Sequence, residues 1–370
     1  MILRSLALTN FKNIPEAVLD FSPKVNCLLG DNGMGKSNLL DAIYFLSFTK
    51  SYSRLPDSML IRSGENFGIV RGTYLRQDTE EEIVSGLRAG QRKTFRRGGK
   101  EYKRLSAHIG LLPAVMVAPT DNDIVTGASD ERRRFADQII SQSDPAYLEA
   151  LLRYAQALEQ RNRMLRDSNA DRTLYEAIEL TMAAAAEVIR RARGEFIHRL
   201  TALFEPYHTA LSGGGETPAL RLVESGADHA DLLDALEHAR TRDSILKYTT
   251  VGPHRDDIEL TLDGMPLRRT GSQGQIKTFT LALRFAQYRF LSACSPVKPL
   301  LLLDDIFDKL DARRVQHIIR LVSGDEFGQI FITDTNRKHL DEIMETIGGD
   351  YRMWQVTDGQ FSLITGHEED

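Results

Sequence analysis

Cysteine is nearly missing from this chain: 370 residues carry two, Cys27 and Cys294, far apart in sequence. With no C-x-x-C and no closely spaced set of thiols, a disulfide framework is excluded, and a reducing cytosol fits. Cys27 lies in an apolar run and reads as a buried thiol. Long apolar runs are missing too. No stretch approaches the 18 or so residues of a membrane span. Met1-Ile2-Leu3-Arg4 opens no apolar segment leading to a small-residue cleavage site, so the expectation is no signal peptide and a cytoplasmic location. An excess of positive charge is also absent, the formal net charge being -5. Any nucleic-acid surface must then be a local patch. There are no internal repeats and no low-complexity tracts. What remains is ordinary soluble globular composition, 42% hydrophobic and 27% charged, on a chain long enough for two domains or one with a large insertion.

The stretch that organises the chain is Gly30-Asp31-Asn32-Gly33-Met34-Gly35-Lys36-Ser37. It follows an apolar run, Val25–Leu29, and opens a helical run over residues 38–46. This is G-x-x-x-x-G-K-[ST] between a strand and a helix, the context the motif needs. Glycines let the backbone curl so that its N–H groups point inward at phosphate oxygens. The helix N-terminus adds about half a positive charge. Lys36 is placed to reach the β- and γ-phosphates of ATP and Ser37 to hold Mg²⁺.

Taken in order, residues 2–8, 18–21 and 25–29 read as strands around the turn Lys12-Asn13-Ile14-Pro15. Residues 67–75, 82–88 and 92–97 read as a meander with a hairpin turn at Gly98-Gly99. Between Arg88 and Arg104 lie Arg92, Lys93, Arg96, Arg97, Lys100 and Lys103 against one acid, Glu101, with Phe95 and Tyr102 interleaved. Two readings stand: a phosphate-tracking patch, or the solvated face of an edge hairpin. Residues 111–117 read as a buried strand. Composition then changes. Leu148, Leu151, Ala155, Leu158, Asn162 and Leu165 recur at threes and fours, as do Leu174, Ile178, Met182, Ala185, Ile189, Ala192, Phe196, Leu200 and Leu203. The spacing predicts two amphipathic helices joined at Asp167-Ser168-Asn169-Ala170-Asp171, the second about 45 Å long. Arg153, Arg161, Arg190, Arg191 and Arg193 on this arm join the candidates for DNA contact. Strands are expected again over 220–224, 247–251 and 258–262, with helices over 232–241 and 276–290.

Two further motifs carry chemistry. Leu300-Leu301-Leu302-Leu303 runs into Asp304-Asp305. A parallel strand buried on both faces reads as a continuous apolar run, and ligands sit at the carboxyl ends of such strands. Asp304 is placed to hold the water shell of the Mg²⁺ that Ser37 binds, and Asp305 to act as base or orienter for the attacking water. The other motif is Ser272-Gln273-Gly274-Gln275 at a helix start, where a hydroxyl and a Gly N–H make an anion site. One nucleotide already has its cradle. The economical role of this second site is to cap ATP held by another subunit.

The spacing of the three motifs, with Asp308-Lys309-Leu310-Asp311 after the carboxylates, resembles the ABC-type ATPase head. The resemblance implies that Ser272, Gly274 and Gln275 form the signature and that Asp311 lies on the loop crossing a dimer. Within that superfamily the chain resembles the RecF family of bacterial recombination and gap-repair proteins over essentially its whole length. The residues that carry this are Leu8-Thr9-Asn10-Phe11-Lys12-Asn13, the phosphate loop with Asn38-Leu39-Leu40, and Pro119-Thr120-Asp121. They continue with Arg132-Arg133-Arg134-Phe135-Ala136-Asp137, Gln160-Arg161-Asn162, Val251-Gly252-Pro253-His254-Arg255-Asp256-Asp257, the signature, and residues 302–311. The family implies an ATP-dependent homodimer that binds DNA, works with recombination mediator proteins and helps load recombinase at gaps. It implies an α/β fold, a mixed central sheet with helices and an antiparallel meander, and an inserted all-α arm. The expected division is a first head part over 1–125, the arm over 126–212 and a second head part over 213–370.

Two departures from the superfamily pattern bear on turnover. The strand ending at Ile332 exits into Thr333-Asp334-Thr335, where a transporter ATPase carries a histidine; His339 follows later and reads as a helix-surface residue. No glutamine marks the loop that senses Mg²⁺, and Asp121 or Asn122 stands in its place. Slow hydrolysis is expected. Val251-Gly252-Pro253-His254-Arg255 reads either as a rigid turn or as a DNA or nucleotide contact. Two other functions use a phosphate loop. A transporter subunit predicts a smaller helical insert and a histidine after Ile332, and a small-molecule kinase leaves Ser272 and the arm unexplained.

Overall fold

Three apolar runs are strands buried along their whole length, Val25–Leu29, Leu300–Asp304 and Ile330–Asp334. The computed structural model describes residues 1–167, 172–307, 310, 312–347 and 350–366. By their contacts these fall into two units, Met1–Asp121 with Arg284–Asp370, and Asn122–Leu283.

In the first unit the buried strands form a six-stranded sheet in the order Gln360–Gly366, Tyr351–Thr357, Val25–Leu29, Ile330–Asp334, Leu300–Asp304, Ala114–Val117. Its neighbours run parallel except for the antiparallel edge pair Tyr351–Thr357 and Gln360–Gly366. A second six-stranded sheet is the antiparallel meander, in the order Ile14–Asp20, Ile2–Phe11, Phe67–Arg76, Thr79–Arg88, Thr94–Arg97, Lys100–Glu101. Its strands alternate buried and exposed positions, as a half-buried sheet must. Gly98 and Gly99, at φ 52° and 77°, supply the left-handed turn before the edge strand. The helix Lys36–Phe48 joins both sheets in one core, where Leu6 and Phe11 of the meander, Ile43 and Phe45 of the helix, and Leu302 and Phe331 of the mixed sheet cluster. Pro15 is not in the turn as expected but inside the strand Ile14–Asp20. That strand is an edge, where a missing N–H costs no ladder bond.

The second unit holds the helices Ser129–Ser143, Pro145–Arg166, Arg172–Ser212 and Leu232–Leu246, and a three-stranded sheet in the order Met265–Pro266, Asp257–Leu262, Pro218–Val223. Asp144 starts the helix Pro145–Arg166 by accepting the N–H groups of Ala146 and Tyr147. The helix Arg172–Ser212 has 41 residues, about 60 Å, longer than its apolar spacing alone predicted. The junction at 168–171 lies outside the described residues. Residues 247–251 are not a strand: the preceding helix runs on to Leu246, and Asp243 accepts the N–H and hydroxyl of Thr250 in the turn that follows.

The buried stripe of the helix Pro145–Arg166 also differs from expectation. It is Tyr147, Ala150, Tyr154, Ala157, Arg161 and Leu165, turned by one residue from the stripe of leucines. Ala155, expected on the buried stripe, is exposed. The polar members explain the turn. Tyr147 donates to Asp137 at 2.5 Å, and Arg161 pairs with Glu179 at 3.0 Å and Asp243 at 2.6 Å, all three fully buried.

Candidate nucleotide-binding site

The loop between Val25–Leu29 and Lys36–Phe48 is shaped by its glycines. Gly30 has no room for a side chain, because a Cβ there would meet the Val356 carbonyl oxygen at 2.4 Å. Gly35, at φ 114°, turns the chain into the helix. Two neighbours brace the loop. Asn13 accepts from Asn38 at 2.8 Å and reaches the Gly33 carbonyl, and Gly359 N–H donates to the Met34 carbonyl at 2.8 Å.

Lys36 folds back over this loop, its ammonium donating to the Gly30 carbonyl at 2.5 Å and the Asp31 carbonyl at 2.9 Å. Burial lowers its pKa, and Asp305, Asp304 and Asp31 oppose the shift. Ser37 donates to Asp304 at 2.8 Å. Thr333 donates to the same carboxylate oxygen at 2.8 Å and accepts the N–H of Asp305 at 3.0 Å. Burial raises the Asp304 pKa against these two bonds. Asp305 turns out of the strand with a left-handed backbone, φ 48°, a conformation uncommon for a non-glycine residue. Six loop residues, Lys36, Ser37 and both carboxylates thus converge at the carboxyl ends of the strands Val25–Leu29 and Leu300–Asp304, which flank Ile330–Asp334. A hydroxyl and a carboxylate in contact are hard oxygen donors, the set that suits Mg²⁺. Thr333 and Asn13 were missed as site residues, although Asn13 ends a motif that carries the family resemblance and Thr333 opens the stretch where a transporter ATPase has a histidine; strand pairing and a hairpin turn bring them in.

Ser272, Gly274 and Gln275 lie in the second unit. Ser272 is exposed, and it and Gln275 cap each other: Gln275 N–H donates to the Ser272 hydroxyl at 3.2 Å, and Ser272 N–H to the Gln275 amide oxygen at 2.8 Å. Asp311, with Asp308 and Lys309, lies outside the described residues. His339 is not a plain surface residue: its Nδ1 sits 2.8 Å from Asp334, whose carbonyl accepts the Gly30 N–H. Asp121 is committed to a buried pair with Arg284 at 2.6 Å.

Several cations expected at a DNA surface are elsewhere. Arg161 and Arg193 are buried, and Arg190 is paired with Asp256 at 2.8 Å. Arg153 and Arg191 are exposed, as are Arg88, Arg92, Arg96, Lys100, Lys103 and Arg104 of the hairpin. Phe95 belongs to the core, so it stacks on no base. His254 is held between Tyr154, 2.7 Å, and the Thr249 carbonyl, 3.1 Å, and burial pushes its pKa down to about 4. The rigid-turn reading holds for it. His229, Asp234 and His238 bring possible metal-ligand atoms within 4.8 Å of one another. Both imidazoles already face the Asp234 carboxylate, which also accepts the Ala230 N–H ahead of the helix Leu232–Leu246.

The fold and the loop define the class: an ATPase head of the ABC and SMC type. The family model for the RecF/RecN/SMC N terminal domain matches residues 2–357. The Smc head of Pyrococcus furiosus shares the fold, with a TM-score of 0.58 and 19% identity over 98% of this chain and 96% of that one. Closer likenesses are more particular. A DNA replication and repair protein RecF from Parabacteroides distasonis is 49% identical over 97% of this chain and 98% of its own length. One from Bacteroides fragilis is 48% identical over the whole of both chains. A solved structure of the recombination mediator protein RecF with ATP, from the RecFOR pathway, aligns with a TM-score of 0.89 and 27% identity over 98% of each chain. The chain belongs to the RecF family of DNA replication and repair proteins.

Proposed function

We propose that this protein is an ATP-operated DNA-binding switch of recombinational gap repair. The Ser37–Asp304 contact of 2.8 Å carries the reading, because it joins the phosphate loop to the acid that closes a nucleotide site. The loop N–H groups and Lys36 hold the triphosphate; ATP, once bound, takes Lys36 from the loop carbonyls. Ser37 and Asp304 hold Mg²⁺, which neutralises phosphate charge when bound. Asp305 orients or deprotonates the attacking water. Ser272, Gly274, Gln275 and Asp311 face the ATP of a second copy, so that ATP binding drives a homodimer. The dimer clamps DNA, slow hydrolysis releases it, and mediator proteins join it in loading recombinase. Exposed basic residues of the 88–104 hairpin, with Arg153 and Arg191, supply the phosphate contacts. The head and arm boundaries near 125 and 212 belong to the same reading, as does a cytoplasmic location; among the described residues no helix is long and apolar enough to cross a membrane.

A transporter subunit is not favoured, since the close relatives are DNA replication and repair proteins. Light scattering with no nucleotide, ADP, ATP, and ATP plus DNA is the test. A dimer only with ATP is the expected result, and a chain that stays monomeric under all four conditions rejects the switch.

A further inference from the structure

Gln275 does more than cap its helix. Its amide nitrogen donates to Glu216 at 3.0 Å. Glu216 follows Gly213, Gly214 and Gly215, whose φ values of 86°, 84° and 85° are left-handed. This three-glycine link joins it to the end of the long helix Arg172–Ser212. A glycine run gives a side chain no fixed direction, so something else must aim Glu216. The other carboxylate oxygen of Glu216 is buried without a hydrogen-bond partner, and so are both ring nitrogens of His208, in the last turns of that helix. His208 Nε2 and this oxygen are 3.6 Å apart, a shift of well under 1 Å from a bond. The imidazole is fully buried between Phe204, 5.6 Å away, and Phe279, 5.7 Å away. Phe279 stands four residues beyond Gln275, on the same helix face. One helix face thus touches both halves of the pair, Gln275 on the carboxylate and Phe279 on the imidazole.

We infer that Glu216 is a positioning residue: backed by His208, it latches Gln275, and through it the Ser272 cap, to the end of the long helix. The inference rests on the proposed role of Ser272 and Gln275 at a partner's ATP. Its consequence is that the long helix and the partner-facing motif move together, so an event on the arm reaches the shared nucleotide through one hydrogen bond.

An exchange of donor and acceptor tests this in the full chain, by sedimentation with ATP. Glu216→Ala is expected to weaken ATP-driven dimerisation about tenfold, the scale of one hydrogen bond to a charged group, while ATP affinity of the monomer stays within twofold. Gln275→Glu keeps the helix cap, since Ser-x-x-Glu is also a capping box, but sets two carboxylates face to face. It is expected to lose dimerisation to a similar degree, and it decides the matter if Glu216→Ala does not fold. Adding Glu216→Gln to Gln275→Glu restores a donor opposite an acceptor and brings dimerisation back to within about threefold of wild type. A double variant as defective as Gln275→Glu alone overturns the latch, because Gln275 then acts without Glu216. Ser272→Arg is the control. If it fails to dimerise while Glu216→Ala dimerises as wild type, the latch alone falls; if it dimerises normally on ATP, the assignment of the motif falls and the latch with it.

Discussion

The two units of this molecule use buried charge differently. The phosphate-loop unit packs hydrocarbon at its centre, where Leu3, Leu6, Phe11, Phe45, Leu300 and Phe331 are wholly inaccessible and cluster together, and it buries charge too, at Lys36 and Asp304 of the site and in the Asp121–Arg284 pair. The unit spanning Asn122–Leu283 places its buried charges within the packing of its helices. Arg161, Glu179 and Asp243 are all fully inaccessible, and Arg193 nearly so. Apolar burial is non-directional and tolerates changes of shape, whereas buried charges must be paired and hydrogen-bonded or they cost heavily. The first unit can therefore carry a loop whose polar groups point at a ligand. The second spends its arginines on its own architecture.

The sharpest way to break the comparison is Arg161→Ala. It leaves Asp243 buried without a cation, while Glu179 keeps Arg240, and costs about 3–5 kcal/mol. Hydrogen exchange should show lost protection over the helices Pro145–Arg166 and Leu232–Leu246, with the strand Leu300–Asp304 unchanged. Wild-type protection in the variant would mean the ion cluster contributes nothing to this unit. Lys36→Ala tests the opposite claim, that a buried cation of the first unit serves a ligand. It should lower ATP affinity by a contact worth about 1.5–3 kcal/mol and leave the melting temperature nearly unchanged. A variant that binds ATP normally would break that assignment. The smallest effect belongs to the exposed hairpin. Each of Arg96→Ala and Lys100→Ala should reduce the slope of log affinity for duplex DNA against log salt by about 1 if it meets a phosphate, with no change in fold. Unaltered slopes would return the hairpin to the role of a charged sheet edge.

The same contrast sets what could be read from the sequence. Four leucines before Asp304 and the glycines around Lys36 announce a buried strand and a curled loop, because apolar runs and glycine spacing are local signals. The phosphate loop and the carboxylate-ending strand of the first unit, with its meander, were legible for that reason. The arm was legible as two helices but not in its packing. A hydrophobic count on the helix Pro145–Arg166 selects leucines, while the buried stripe is set by Tyr147, Tyr154 and Arg161, whose partners Asp137, His254 and Asp243 all lie outside that helix. Arg161, Arg190 and Arg193 look like surface cations for the same reason. His339 was misplaced because its spacing on the helix Arg337–Ile347 does not show that the start of the helix turns it back to Asp334, five residues earlier.

The bracing of the phosphate loop has a consequence for how the site comes into being. Gly30 is pressed against Val356, and Met34 is held by the turn at Asp358 and Gly359, 324 residues further along the chain. A ribosome delivers the glycine loop early and its supports last. During synthesis the strand Val25–Leu29 waits for Ile330–Asp334 on one side and Tyr351–Thr357 on the other. Contacts of such sequence separation form only after a large loss of chain entropy. The nascent chain therefore carries the whole phosphate-loop sequence long before it has the walls that give the loop its shape, and nucleotide competence is a property of the finished polypeptide.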